Sequence, residues 1–578
     1  MKRIRRIASL LLAMVMVFGL TATAFAAETT GTGQEGEGEK APTFEEHTYT
    51  AYKILDGTLS LKDDQYYLVD ITWGDGVNHG QDDTNNPFLE ALKADDSFEV
   101  GGKNIFADAK DAEGVANALN GYDKDTEVAK AFARVANKHK ASGRPVADGD
   151  TLPPGYYLVV DTTQIGASDA YNFALLQVVD ANGVTIEKKY DVPTVDKSVK
   201  ATDDADGVPG EAVDVSIGDK VTFTLKGTLP DNYEYYEKYS YQFNDTLSAG
   251  LDYQETLSIK LYGSEDEFQG DKDGSGGTAL TKFEPAKGTG DEGATTLTWT
   301  FTDLKTLQDI DKDSVIVVTY TAILNSNAVP GSAGNPNEVT LTFSNDPSQT
   351  GEGDWEPDTS TTPPDKVLVF TYALDGTKIE KKTDAGAVDK PLAGAKFVLY
   401  RGEGGADLKK DADGSPTNAQ YAQVTGGRLS GWTLTESEAT VLESDADGKF
   451  KVEGLDAGDY YLKETEAPAG YNMLKAPVKL TIAADTGKDA EDVKDEKKDP
   501  VLTELTIMRE DEEGNPLTPE PAEDMGTGAV SLKIENSAGV LLPSTGGMGT
   551  TLFYIVGAAL VLAAGALLVM KRRAGEGK

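Results

Sequence analysis

The sequence predicts a mostly-β protein built of tandem β-sandwiches, with one helical insertion near its start. Short runs of alternating apolar and polar residues recur along most of the chain, among them "DKVTFTLKGTLP" and "SVIVVTYTAIL". Clusters of Gly, Asp, Asn and Pro separate them, as turns between strands require. In one stretch Val128, Phe132 and Val135 recur at helical spacing behind Asp125 or Thr126 as a cap. A chain of 578 residues has room for about three domains with cores of their own.

Taken in order, residues 1–26 ("MKRIRRIASLLLAMVMVFGLTATAFA") have a basic start, an apolar run and a small-residue site, and are expected to be a signal peptide cut after Ala26. Residues 27–43, rich in Gly, Glu and Thr, are too polar to pack and are read as a flexible leader. Residues 44–191 form the N-terminal domain, with strand candidates "HTYTAYKILDG", "QYYLVDITWG" and "GYYLVVDTT" around the helical piece. The proline of "YDVPTVDKSVK" ends that pattern, and residues 192–362 read as a first complete sandwich. "STTPPDK" is a linker, and residues 363–540 read as a second sandwich, with Asp485–Glu523 taken as a loop or flexible insertion. In the tail, residues 541–578, the uncharged span 551–570 is long enough to cross a bilayer, and Lys571–Arg573 are expected to stay cytoplasmic.

Composition excludes several classes of function. The 97 acidic against 54 basic residues, spread along the chain, disfavour nucleic acid and anionic membrane surfaces as partners. Without cysteine there are no disulfides, thiolate nucleophiles or Cys-based metal sites. The three histidines, His47, His79 and His139, lack ligand spacing, and no GxSxG elbow, P-loop or dinucleotide fingerprint occurs. No metal or cofactor is therefore expected, and a surface hydrolase has no supporting constellation. The acidic turns Asp271–Gly274, Asp411–Gly414 and Asp445–Gly448 complete no EF-hand loop and read as hairpin connections rather than calcium sites.

Strand parity places polar groups on the inside. In the second sandwich Leu368, Phe370, Tyr372 and Leu374 share a face with Lys378; Tyr460 and Leu462 share one with Glu464; Val530, Leu532 and Ile534 share one with Asn536. In the first sandwich Lys197 lies with Val195 and Val199, Asp245 with Tyr241 and Phe243, and Asn337 with Val339, Leu341 and Phe343. Asn345 has the same parity as Asn337 and is its rival, although Asn345-Asp346-Pro347 looks like the turn that ends the strand. Burial disfavours charge, so a buried lysine loses its proton more easily and a buried carboxyl group keeps its own. A neutral amine held against a carboxamide can attack its carbonyl carbon. The acid, Glu464 or Asp245, would hydrogen-bond the carbonyl oxygen and relay protons to the leaving ammonia. The product is a Lys–Asn isopeptide crosslink, Lys378–Asn536 in one sandwich and Lys197–Asn337 in the other. A satisfied hydrogen-bond network with no bond formed fits the same parity.

"DYYLKETEAPAGY" closely resembles the E-box of Cna-B-type domains in sortase-assembled pilins of Gram-positive bacteria, and "PLAGAKFVLY" and "IENSAGVLLPSTGG" fit the same family. "DVPTVDKSV" with "NEVTLTFSNDP" is similar to the middle, Cna-A-like domain of major pilins, and "HTYTAYKILDGTLS" with "GYYLVVDTT" to their N-terminal domain. The resemblance covers nearly all of the chain after Ala26. It implies tandem immunoglobulin-like (Cna-type) sandwiches, and the crosslinks and acid roles given above.

"LPSTG" (Leu542, Pro543, Ser544, Thr545 and Gly546), followed by an apolar span and a basic end, is similar to a cell-wall sorting signal. The resemblance implies that a sortase cuts between Thr545 and Gly546 and passes Thr545 to an amine of the peptidoglycan cell wall or to a lysine of the next subunit. Pilus backbone subunits carry a "VYPK"-like motif for that lysine. Here the matching stretch is "VTIEKKYDVP", without the Tyr-Pro, in which Lys189 aligns best and Lys188 is its rival. The expected protein is a secreted, wall-anchored pilus backbone subunit that meets the membrane only before sorting. Its partners are a sortase, other pilin subunits and the cell wall. The alternative is a monomeric LPxTG-anchored adhesin or accessory pilin presenting its first domain to a host surface ligand.

Overall fold

The computed structural model describes residues 47–575 apart from 63–64, 82–84, 124–125, 180–183, 185, 187–190, 203–208, 272–273, 352–353, 383–387, 488–497, 512–513 and 541–548. The expected signal peptide, cut after Ala26, and the expected leader, to residue 43, lie outside the described residues.

In the first region the long strand Tyr49–Lys62 organises an antiparallel sheet. Gln65–Trp73 and Gly143–Val146 pair along one side, and Gly155–Asp161, followed by Leu175–Val179, along the other. Three α-helices separate its strands: Pro87–Ala94, Ala112–Leu119 and Glu127–Lys138. Each has an N-cap of the expected chemistry: Asn86 accepts from Leu89 N, Asp111 from Gly114 N and Thr126 from Ala129 N. Only the third was expected from sequence, where Asp125, the rival cap, lies outside the described residues. The first two helices span 8 residues each, barely two turns, too few to show a helical period. Phe88, Phe98, Phe106 and Phe132 fill the core beneath them.

The second region is a sandwich of two sheets. One runs Thr278–Ala279, Leu251–Tyr262, Val315–Leu324, Lys220–Thr228, Val195–Ala201. The other runs Ala286–Thr289, Thr295–Phe301, Tyr241–Leu247, Asn335–Ser344, Asp365–Phe370, Ala212–Asp214, with Thr359–Thr361 also beside Asn335–Ser344. Alternation fixes the inner faces: Tyr241, Phe243 and Asp245 are buried while Gln242 and Asn244 between them are only partly so.

The third region folds its strands into one continuous wrapped sheet. Tyr372–Glu380 lies between Lys449–Leu455, antiparallel, and Ala529–Asn536, parallel. Gly458–Glu466 lies between Lys396–Gly402 and Val478–Asp485. A single buried apolar cluster runs from Val195 in the second region to Ile534 in the third.

Two sequence expectations change here. Parity alone makes the run from Leu368 to Lys378 one strand of the last sandwich. In the structure Asp365–Phe370 pairs with Asn335–Val339 in the preceding sheet, and the chain crosses into the next sheet at buried Thr371. Thr371 ties the crossing down by donating from Oγ1 to Leu455 O at 3.0 Å. A linker of this kind carries strand hydrogen bonds on both sides, which its proline-rich start hides. The acidic excursion Asp485–Glu523 is also not all loop: Glu504–Arg509 pairs with Leu480–Asp485, and Glu520–Pro521 pairs with it in turn. The period-two alternation Leu505, Ile507 carries that strand, and the surrounding charges masked it.

Candidate functional site

The third region brings Lys378, Glu464 and Asn536 together inside its core. Lys378 and Asn536 come from neighbouring parallel strands, where Lys378 is registered against Ile534 and Asn536 against Glu380. They are thus diagonal neighbours on one face, a step that the lysine's four-carbon stem can cross. Lys378 Nζ donates to Asn536 Oδ1 at 2.6 Å. Glu464 comes from Gly458–Glu466, a strand of the same wrapped sheet that pairs with neither of the other two. Its Oε1 accepts from Asn536 Nδ2 at 2.9 Å and lies 3.1 Å from Lys378 Nζ, while Oε2 accepts from Leu474 N at 2.7 Å. The carboxyl group therefore faces the amide nitrogen, the leaving group of an attack by lysine, rather than the carbonyl oxygen expected from sequence.

The second region brings Lys197, Asp245 and Asn337 together across its two sheets. Lys197 stands on the edge strand of one sheet; Asp245 and Asn337 stand on adjacent strands of the other. Lys197 Nζ contacts Asp245 Oδ1 directly. Between acid and amide stands Tyr320: its hydroxyl donates to Asp245 Oδ2 at 2.5 Å and accepts from Asn337 Nδ2 at 2.6 Å. Lys197 Nζ is 3.5 Å from the same hydroxyl. Asn345, the rival of Asn337, is directed elsewhere: its Nδ2 donates to Ser360 Oγ at 2.9 Å.

Both sets are dry, with exposures of 0 to 5% for all six residues. Each lysine Nζ lies 5.3 Å from a phenylalanine ring centre, Phe223 for Lys197 and Phe397 for Lys378. Burial among such groups pulls both lysines below their usual range, and the attraction of Glu464 or Asp245 only partly offsets it. Burial likewise pushes the Asp245 carboxyl group up, against the pull of Lys197. An amine poised to become neutral, a carboxamide and an acid that reaches both, directly at Glu464 and through Tyr320 at Asp245, are the components of amide transfer. Sequence parity did not name Tyr320, Phe223 or Phe397. Tyr320 shares a face with Val318 and Ala322, an ordinary core pattern in which a tyrosine carries no signal of its own.

The other expected positions are not in these cores. Leu542, Pro543, Ser544, Thr545, Gly546, Lys188 and Lys189 lie outside the described residues. The helix Gly549–Gly575 follows, and within it Leu552–Arg572 is long and apolar enough to cross a membrane. Among the acidic turns, Asp411 Oδ1 accepts from Asp413 N and Ser415 N, and Asp445 Oδ1 from Asp447 N and Lys449 N, as loop-closing side chains do.

Three family models match the chain: the SpaA prealbumin-like fold domain over residues 376–497, the Gram-positive pilin backbone subunit 2 Cna-B-like domain over 217–347, and the LPXTG cell wall anchor motif over 534–576. The middle region thus matches a domain described as Cna-B-like. The trypsin-resistant surface T6 protein of Streptococcus pyogenes serotype M6 is 24% identical over 428 residues, 68% of this chain and 71% of that protein. Among solved structures, the T6 backbone pilin of S. pyogenes serotype M6 has a TM-score of 0.44 at 16% identity, covering 86% of this chain and 96% of that one. The pilus 2b backbone protein of group B streptococcus has a TM-score of 0.35 at 24% identity, covering 60% and 99%.

Proposed function

We infer the function of this chain from its membership of the Gram-positive pilin backbone family with an LPXTG cell-wall anchor. It is a structural subunit rather than an enzyme, anchored at the cell wall and assembled with other pilin subunits by a sortase. The observation that carries the mechanical reading is a repeated one. Two successive sandwiches each bury a lysine, an acid and an asparagine in one hydrogen-bonded set, directly in the last sandwich and through Tyr320 in the middle one.

In this reading Lys378 bonds Asn536 with Glu464 as promoting acid, and Lys197 bonds Asn337 with Asp245 in that role. Each crosslink ties an early strand of its sandwich to a late one, so tension along the shaft runs through covalent bonds in a chain that has no cysteine. The division into an N-terminal domain (44–191), a middle sandwich (192–362) and a last sandwich (363–540) belongs to the same reading, with the strand Asp365–Phe370 exchanged across the last boundary. Between subunits, Thr545 is joined to Lys189, with Lys188 as the alternative. The LPSTG motif supports Thr545, and the place of the two lysines in the sequence, between the first two domains, supports the acceptor, although the stretch lacks the Tyr-Pro of the family's motif.

Wall extracts test the assembly. A backbone subunit yields a ladder of high-mass species that collapses when Lys189 and Lys188 are both replaced by Arg. A single wall-linked band in the wild type would instead identify a monomeric adhesin or accessory pilin.

A further inference from the structure

The two candidate crosslinking sites differ in how the acid reaches the amide. In the last sandwich one oxygen of Glu464 touches both reacting nitrogens, at 3.1 Å from Lys378 Nζ and 2.9 Å from Asn536 Nδ2. In the middle sandwich the acid is Asp245, shorter by one methylene. Its Oδ1 meets Lys197 Nζ, and its Oδ2 meets Tyr320 instead of Asn337. The Tyr320 hydroxyl spans the remaining gap, taking the hydrogen bond of Asn337 Nδ2. That is the one hydrogen bond of the Asn337 carboxamide among the described residues, since its Oδ1 has no partner.

We propose that Tyr320 is a catalytic residue of the middle sandwich: it extends the short acid Asp245 to the leaving nitrogen of Asn337, relaying the proton on which ammonia departs. The proposal rests on the crosslink reading given above. The groups form an unbroken chain: Lys197 Nζ, Asp245 Oδ1 and Oδ2, Tyr320 hydroxyl, Asn337 Nδ2.

The atoms balance along it. Lys197 passes one proton to Asp245, leaving a neutral amine and a neutral acid. The Nζ lone pair attacks Asn337 Cγ, and the Nζ–Cγ bond forms while the carbonyl π pair moves to oxygen. Asp245 gives its proton to the Tyr320 oxygen as Tyr320 gives its own to Nδ2. Asp245 then takes a proton from the new Nζ–Cγ bond's nitrogen. The oxyanion collapses, the Cγ–Nδ2 bond breaks and ammonia leaves. Tyr320 ends as it began, and neither water nor an oxidant is consumed.

The competing role for Tyr320 is core filling, since its ring packs 5.2 Å from those of Phe223 and Trp299. Tyr320→Phe keeps that ring and removes only the relay oxygen. The chain is made by cell-free synthesis and followed by intact mass, with peptide mapping to separate the two crosslinks. Wild type should lose one ammonia from the middle sandwich. Tyr320→Phe should lose it at least about 100-fold more slowly, in the range of a missing proton-transfer group, while Lys378–Asn536 forms at the normal rate. Asp245→Glu added to Tyr320→Phe should restore the rate, because the longer acid reaches Nδ2 directly, as Glu464 does. A core-filling role predicts no such rescue. Loss of ammonia from Tyr320→Phe at the wild-type rate overturns the proposal and leaves the crosslink reading standing. A wild-type middle sandwich that keeps its ammonia overturns both. Should Tyr320→Phe fail to fold, a fluorinated tyrosine at 320 keeps the shape and acidifies the hydroxyl, and an unchanged rate then overturns the relay.

Discussion

Lys378 Nζ lies 2.6 Å from Asn536 Oδ1, across two parallel strands whose register sets the two residues one diagonal step apart. Parallel neighbours in one sheet must come from segments distant in sequence, because the return connection has to cross the fold. Here the separation is 158 residues. A covalent bond at this point therefore closes nearly the whole last sandwich into a ring.

The first consequence is a mass. The folded ectodomain should weigh one ammonia less than its sequence for each crosslink, two in all. Glu464→Ala should restore one, and Lys378→Ala the same one. High-resolution mass spectrometry of the intact protein decides this, and a wild-type mass equal to that of the sequence sinks the crosslinks.

Stability should follow from ring size. By the entropy argument used for disulfides, closing a loop of this length removes roughly 5 kcal/mol worth of freedom from the unfolded chain. For a module of this size that corresponds to a fall of roughly 10–20 °C in Tm when the bond is absent. Calorimetry of Asn536→Ala should show such a fall in the transition of the last sandwich. A change of a degree or two would mean that the bond braces nothing.

A different signature belongs to Asp365, whose carboxyl group accepts from the backbone N–H of both Lys197 and Lys366. Burial pushes it from its ordinary 3.8 up to about 6. A group raised on folding stabilises the folded state below its unfolded value and loses that contribution as pH rises through the folded one. From pH 4 to pH 7 the wild type should therefore lose about 2–3 kcal/mol relative to Asp365→Asn. Denaturant unfolding of the two proteins across that range measures the difference, and parallel pH curves would refute the assignment.

Arg401 bridges the junction between the last two sandwiches. Buried beneath Trp432, it reaches Asp219 of the middle sandwich at 3.1 Å with Nη2, and Ser216 at 3.1 Å and Asp456 at 3.2 Å with Nη1. Removing the cation leaves two part-buried carboxylates facing each other, which typically costs about 3–5 kcal/mol. Arg401→Ala should thus separate the melting of the two sandwiches and open the region around residue 371 to limited proteolysis. One cooperative transition at the wild-type temperature would show that the apolar cluster alone holds the junction.

Parity alone determined much of this protein. An alternating strand commits each residue to a face, so Lys197, Asp245, Asn337, Lys378, Glu464 and Asn536 could be placed inside from local pattern, and the sorting motif and apolar span stand in the sequence itself. Parity says which face a residue takes but not what it meets there. Only the tertiary structure decided that Asp365–Phe370 joins the middle sheet, because strand pairing depends on partners far along the chain. It also decided that Asn345 turns to Ser360, that Glu464 faces the amide nitrogen, and that Tyr320 bridges Asp245 to Asn337. Each of those depends on how strands from different parts of the chain pair and pack, which no single strand encodes.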